Sequence, residues 1–160
     1  MAQFQATSKA AEAPDIAEAM YDAVFTRVEQ KRLTSGKFVK DPVNGDPKLE
    51  WYFTPLDEND SAIYDKGEAV EVNKLTGTGF NVAAKTVPQE IRVLKALLTK
   101  AEFDAFENGE PTPADDVDAP VGLRGRKVQI EVFVKENGWP GIGNIVAPKG
   151  GQKGAFFEAE

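Results

Sequence analysis

From Lys127 the chain reads KVQIEVFVKENGWPGIGNIVAP, and this run constrains the fold more than any other. Val128, Ile130, Val132 and Val134 alternate with Lys127, Gln129, Glu131, Phe133 and Lys135. A period of two sends one set to an apolar face and the other to a polar one, which is the signature of a strand. Asn137-Gly138 follows, a pair that tolerates the positive φ angles of a tight hairpin turn. The segment GIGNIVAP then predicts a returning strand whose glycines permit a bulge or close packing. The domain is expected to close on an antiparallel hairpin.

Alternation recurs upstream. In AMYDAVFTRVEQ, Met20, Val24 and Val28 share one face while Tyr21, Ala23, Phe25 and Arg27 share the other. A strand of about ten residues exceeds the common five or six and is expected to curve. The connection KRLTSGKFVKDPVNGDPK is rich in turn residues, and Asn44-Gly45 suits a small hairpin within it. LEWYFTPL predicts a second strand with Leu49, Trp51 and Phe53 on its apolar side and Tyr52 opposite. DENDSAIYDKGE reads as a loop, and AVEVNKL as a shorter third strand with Val70 and Val72 inward, ending at the glycines of TGTGF.

Only then does a helical period appear. Pro88 suits a first turn, Val87, Ile91, Leu94 and Leu98 are spaced for one face, and Glu90, Arg92 and Lys95 are left to solvent. Thr99 followed by Glu102 has the form of a capping box, predicting a second short helix through Phe103 and Phe106 that closes near Gly109. Residues 110–120 form an acidic, proline-punctuated linker. The expected organisation is a loosely held leader over 1–18, one domain over 19–150 and an acidic-aromatic tail over 151–160.

Three strands, a helical segment and two strands can build a mainly β, five-stranded, partly open barrel in which the helix plugs the gap between the third and fourth strands. That is the oligonucleotide/oligosaccharide-binding (OB) arrangement. A curved antiparallel sheet packed with one or two helices uses the same elements and stands as the alternative.

The chain contains no cysteine and no histidine. Thiolate nucleophiles, disulfides, imidazole proton shuttles and the commonest zinc ligands are therefore excluded. Carboxylate clusters at Asp57, Glu58 and Asp60, and at Asp115, Asp116 and Asp118, sit among loop-forming residues with no glycine-rich phosphate cradle, which favours solvated loops over a magnesium site. A non-enzymatic protein without a cofactor is the expectation. No apolar run is long enough for a membrane span and no basic-then-apolar leader is present, which points to the cytoplasm.

Charge is segregated. The net charge is -7, yet residues 30–48 carry +3 and residues 121–153 carry +4, leaving -14 for everything else. Segregation of this kind creates a local field that a total conceals.

The segment LRGRKVQIEVFVKENGWPGIGNIVAP resembles the closing hairpin of small bacteriophage proteins from replication and recombination regions. The matching positions are Gly125-Arg126, Val128 to Val134, Gly138, Asn144-Ile145 and Pro148. AEAMYDAVFTRVEQKRLTSGK is similar to their opening strand and basic loop, and Leu94, Leu97 and Leu98 fall where their helix lies. The resemblance implies a single-stranded DNA-binding accessory protein in the cytoplasm of a bacterial host. Members are usually more compact between helix and last hairpin than residues 110–120 allow.

Single strands are bound by basic grooves carrying exposed rings on which bases stack. In an OB barrel the first strand connection and the last hairpin border that groove. The candidate contacts are Lys31, Arg32, Lys37 and Phe38 from the first, Tyr52 from the second strand, and Arg124, Arg126, Lys127, Phe133, Lys135 and Trp139 from the last. The competing reading has Phe133, Phe25 and Tyr52 covering a second small core and Trp139 capping the barrel. In the tail, Phe156, Phe157, Glu158 and Glu160 suggest an element that docks on a replication or host protein or folds back over the groove. Homo-oligomerisation stays open. Two other functions compete: a phage protein-interaction module that modulates a host protein, motivated by the acidic remainder, and a virion component.

Overall fold

The computed structural model describes residues 13–31, 35, 37–40, 47–77, 80, 87–116 and 122–153. Five strands make one antiparallel sheet in the order β5-β2-β1-β6-β7, comprising β1 (Ala19–Gln30), β2 (Leu49–Pro55), β5 (Val72–Thr76), β6 (Lys127–Val134) and β7 (Pro140–Val146). The helices α1 (Gln89–Leu97) and α2 (Lys100–Glu107) lie between the third and fourth of these strands. The architecture is a nearly closed, OB-like barrel with a helical insertion.

β1 makes the barrel by serving both halves of it. Its first residues pair with β6, from Ala19 opposite Val132 to Val24 opposite Lys127, and Ala23 to Gln30 pair with β2. A bulge between Phe25 and Arg27 inserts Thr26 as an extra residue and lets the 12-residue strand turn from one partner to the other. The bulge also changes which side chains face inward. Ala23 and Phe25 are core residues before it and Val28 packs on the core after it, whereas Met20 is 54% exposed. The uninterrupted alternation expected for β1 is thereby corrected: Phe25 belongs to the apolar interior, where its ring meets Trp51 at 5.9 Å and Phe53 at 5.6 Å.

The last gap is closed by a side chain. β5 directs Val72, Lys74 and Thr76 to the same side as their cross-strand partners Phe53, Trp51 and Leu49. Lys74 Nζ donates to the carbonyls of Ile142 (3.2 Å) and Gly143 (2.8 Å) on β7, taking the place of a backbone ladder. Beside it the Trp51 indole N–H donates to Thr76 Oγ1 at 2.7 Å, so the one polar atom of that buried ring is satisfied. Burial, with the Arg92 charge added to it, pushes the Lys74 ammonium below its ordinary pKa.

α1 buries Ile91, Val93, Leu94, Ala96 and Leu97. Glu90, expected in solvent, is buried with them. α2 begins at the expected capping box: Thr99 Oγ1 accepts from the Glu102 amide at 3.2 Å and Glu102 Oε1 accepts from the Thr99 amide at 2.9 Å. It ends at Gly109, whose φ of 73° no other residue adopts cheaply. In the acidic linker a short 3-10 turn forms over Pro113–Asp116. The region expected as a plain loop before β5 holds a two-stranded ribbon, β3 (Tyr64–Asp65) and β4 (Glu68–Ala69), joined by Lys66 and Gly67 at φ 54° and 85°. Two successive positive φ angles are those of a type I′ turn, whose twist matches the flanking strands.

Candidate nucleic-acid interface

The closing hairpin forms where its sequence predicts, with only Gly138 of the Asn137-Gly138 pair at positive φ. Gly138 has a φ of 85°, Lys135 N–H donates to the Trp139 carbonyl at 2.8 Å, and Asn137 Oδ1 accepts from the Trp139 amide at 3.0 Å. Val128, Ile130 and Val132 face the core, while Phe133 (40%), Val134 (40%) and Trp139 (38%) remain exposed. Phe133 is thus on the outer surface and not in a second core.

The position of Phe133 depends on a glycine. A Cβ at Gly141 would fall 3.0 Å from Phe133 Cζ and 2.8 Å from Lys135 Cε, so both side chains lie across the bare backbone of the facing strand. Glu131 covers Gly143 in the same manner. The bulge in the β6–β7 pairing between Ile130 and Val132 keeps Ile142 and Ile145 in the core while Gly141 and Gly143 turn their bare Cα toward the outer side, Gly141 buried beneath Phe133 and Lys135. The glycines of β7 therefore supply both the bulge and the close packing that the sequence allowed.

The outward face of β1, β2 and β5 lies beside it. The Arg27 guanidinium sits 3.8 Å from the centroid of the Tyr52 ring, brought there because the bulge at Thr26 sets Arg27 directly opposite Tyr52. Arg27 is also paired with Glu29 and with Glu71. Glu50, only 7% exposed, accepts from the Asn73 amide and lies 3.4 Å from Lys31 Nζ. Burial first, then the Glu50 charge, raises the Tyr52 phenol above its ordinary pKa. A hollow of about 550 Å³ opens next to this network, lined by Glu29, Gln30, Phe38 and Glu50.

The basic residues expected to form one groove divide into three groups. The first is solvent-facing: Lys37, Arg124 and Lys135 are exposed and Phe38 is half-buried. Near Lys37, Lys40 is exposed and Lys48 half-buried, and none of these five cations has a carboxylate within ion-pairing distance among the described residues. The second group is neutralised. Lys31 is paired with Glu50, and Lys127 with Asp60 at 2.8 Å and Asp22 at 3.8 Å, chiefly the Asp60 hydrogen bond raising its pKa.

The third is Arg126, which requires a correction. Only 4% exposed, it cannot reach a ligand; its Nη1 and Nη2 bind both oxygens of Glu102 at 2.5 and 3.0 Å, and Nη1 also donates to the Leu97 carbonyl. Gly125, at φ 86°, makes the turn that buries Leu123 and aims Arg126 at the helices. Arg32 and the tail residues Phe156, Phe157, Glu158 and Glu160 lie outside the described residues.

The exposed cations frame the outer face from two ends. The hairpin tip continues β6 past Ala19, where β1 begins, and Lys37, Lys40 and Lys48 lie past Gln30, where β1 ends. Some 35 Å of curving strand separates them, at the usual rise of about 3.3 Å per residue. Between them lies the Arg27–Tyr52 stack with its three carboxylates.

Of the carboxylate clusters, Asp118 lies outside the described residues, and two of the others are engaged by local backbone amides. Asp57 Oδ1 accepts from the Asn59 and Ser61 amides, and an Asp115 oxygen accepts from the Thr112 amide. Among the described residues no group of three or more acidic side chains is placed to share a metal ion, and no helix is long and apolar enough to cross a membrane. No family model, no curated protein and no solved structure matches this chain.

Proposed function

We propose that this barrel binds single-stranded DNA without catalysing any reaction on it, as an accessory protein of phage replication or recombination in the bacterial cytoplasm. The observation that carries the reading is the outer face of the closing hairpin. Phe133 lies across Gly141 with its other side open, Trp139 stands exposed at the tip, and Lys135 is beside them without a carboxylate partner among the described residues. An exposed ring next to a free cation is what a nucleotide needs: a surface for the base and a charge for the phosphate. The cations beyond Gln30 provide a second phosphate contact at the far end of the same face. The phage context rests on the resemblance of Gly125 to Pro148 to the closing hairpin of that family.

The test is fluorescence anisotropy of a labelled mixed-sequence single strand, with the duplex as comparison. The reading expects preference for the single strand and an affinity that falls steeply as salt is raised, because bound phosphates release counterions. Absence of binding at low salt sinks it.

A second reading is favoured by one observation. Glu29, Glu50 and Glu71 outnumber Arg27 and Lys31 at the centre of the face. A surface of that sign suits a basic patch on a host protein, and the barrel would then act as an interaction module. Recovery of one stoichiometric partner, lost on charge reversal at Glu29 and Glu71, is the result this reading requires.

A further inference from the structure

A second cationic surface lies away from the hairpin tip, between α1 and the end of β7. Arg92, Lys95 and Ala96 form one wall of a groove of about 280 Å³, and Ile145, Val146 and Ala147 form the other. Val146 is 45% exposed, so the floor is apolar and open. Neither Arg92 nor Lys95 has a carboxylate partner among the described residues; Lys95 Nζ lies 5.5 Å from the Phe103 ring centroid. Burial first, and then the Arg92 charge, lower the pKa of the neighbouring Lys74. An apolar floor beside two unpaired cations fits a ligand that is both aromatic and acidic.

The described chain ends beside this groove. After β7 it turns at Gly150 and Gly151, with φ of 89° and 94°, and the Gln152 amide then donates to the Ala96 carbonyl at 2.9 Å and the Lys127 carbonyl at 2.6 Å. Ala96 is itself part of the groove wall, so Gln152 lies at the groove's edge. Residues 154–160, GAFFEAE, hold two phenylalanines, two glutamates and no cation. Extended, they span up to about 24 Å, and the groove from Ala96 back to Gln89 runs about 10 Å along the helix.

We propose that residues 156–160 dock in the α1–β7 groove of their own chain, with the phenylalanines on Ile145 and Val146 and with Glu158 and Glu160 against Arg92 and Lys95. The contact is independent of nucleic acid.

Because the chain has no cysteine, Ala159→Cys gives a single site for a nitroxide on the full-length protein while leaving both glutamates intact. Amide spectra are recorded with the nitroxide oxidised and reduced, in the absence of DNA. The expected result is selective loss of intensity at Arg92 to Ala96 and Asn144 to Ala147, abolished when Arg92→Glu and Lys95→Glu are combined. Both substituted positions are exposed, and unchanged amide shifts in β1 and β2 verify that the variant is folded. Loss centred on Phe133 and Trp139, uniform weak loss, or loss that survives charge reversal overturns the proposal. So does intensity loss confined to mixtures of spin-labelled and isotope-labelled chains, since that assigns the contact to a second copy.

Discussion

Arg126 holds both carboxylate oxygens of Glu102, and through that one contact the first turn of α2 is tied to the start of β6. Glu102 Oε1 serves twice, accepting from Arg126 and from the Thr99 amide that opens the helix. An arginine in a basic stretch is here part of the framework. Replacing Arg126 by alanine leaves the half-buried Glu102 carboxylate with the Thr99 amide alone, and loss of one partner of such a group costs about 1–3 kcal/mol. Urea unfolding is expected to show a loss of that order. Where the variant remains folded, its affinity for single-stranded DNA is expected to match the parent's.

The same pair sets an acid limit. Hydrogen bonding from Arg126 is the largest influence holding the Glu102 carboxyl below its ordinary pKa of 4.5. The stabilisation is therefore complete above 4.5 and is lost as pH falls through the lowered folded-state value. In Glu102→Gln this acid-dependent part of the unfolding free energy is expected to disappear, measured as a flatter midpoint-versus-pH curve below pH 4.5. An unchanged slope would contradict the assignment.

Lys74 closes the seam between β5 and β7. Lys74→Met keeps the length of the side chain and removes the donor, leaving the Ile142 and Gly143 carbonyls without it at a cost of about 1–3 kcal/mol. Amide hydrogen exchange is expected to rise first in β5 and β7, with β1 and β2 protected until global unfolding. Uniform acceleration across all five strands would show that the barrel does not depend on this closure.

Gly141 is the floor beneath Phe133. Gly141→Ala is expected to leave stability nearly unchanged, since the atoms it meets are the outer ends of two side chains. It is expected to lift the ring and weaken single-strand binding roughly tenfold, within the range of one lost stacking contact. In a Phe133→Ala background the same substitution is expected to change affinity no further, because the two residues act as one unit. Additive losses would separate them.

What was legible in the sequence was what neighbours in the chain decide. The Val128–Ile130–Val132 alternation, the Asn137-Gly138 turn and the Thr99/Glu102 box each specify a local conformation, and each forms as read. A strict period of two reverses the faces of β1 around Phe25, because the bulge at Thr26 is created by pairing with β2, about 25 residues away, and no local signal marks it. The ribbon turning at Lys66-Gly67 lies inside a polar stretch that reads as a plain loop, because its strands are only two residues long and show no alternation. Arg126 and Lys127 looked like ligand contacts because charge counting ignores partners, and Glu102 and Asp60 are distant in sequence. The exposure of Phe133 was one of two readings; the phase of the strand together with Gly141 selects it.

The central claim is that bases stack on Phe133 and Trp139 while lysines hold the phosphates. The direct measurement is the affinity of one strand of thymidines against an abasic strand of equal length and charge, titrated at the same salt. The account predicts at least a tenfold weaker affinity for the abasic strand, about 1.4 kcal/mol, with the difference vanishing when Phe133 and Trp139 are both replaced by alanine. Equal affinity for the two strands would mean that charge alone is recognised and would contradict it.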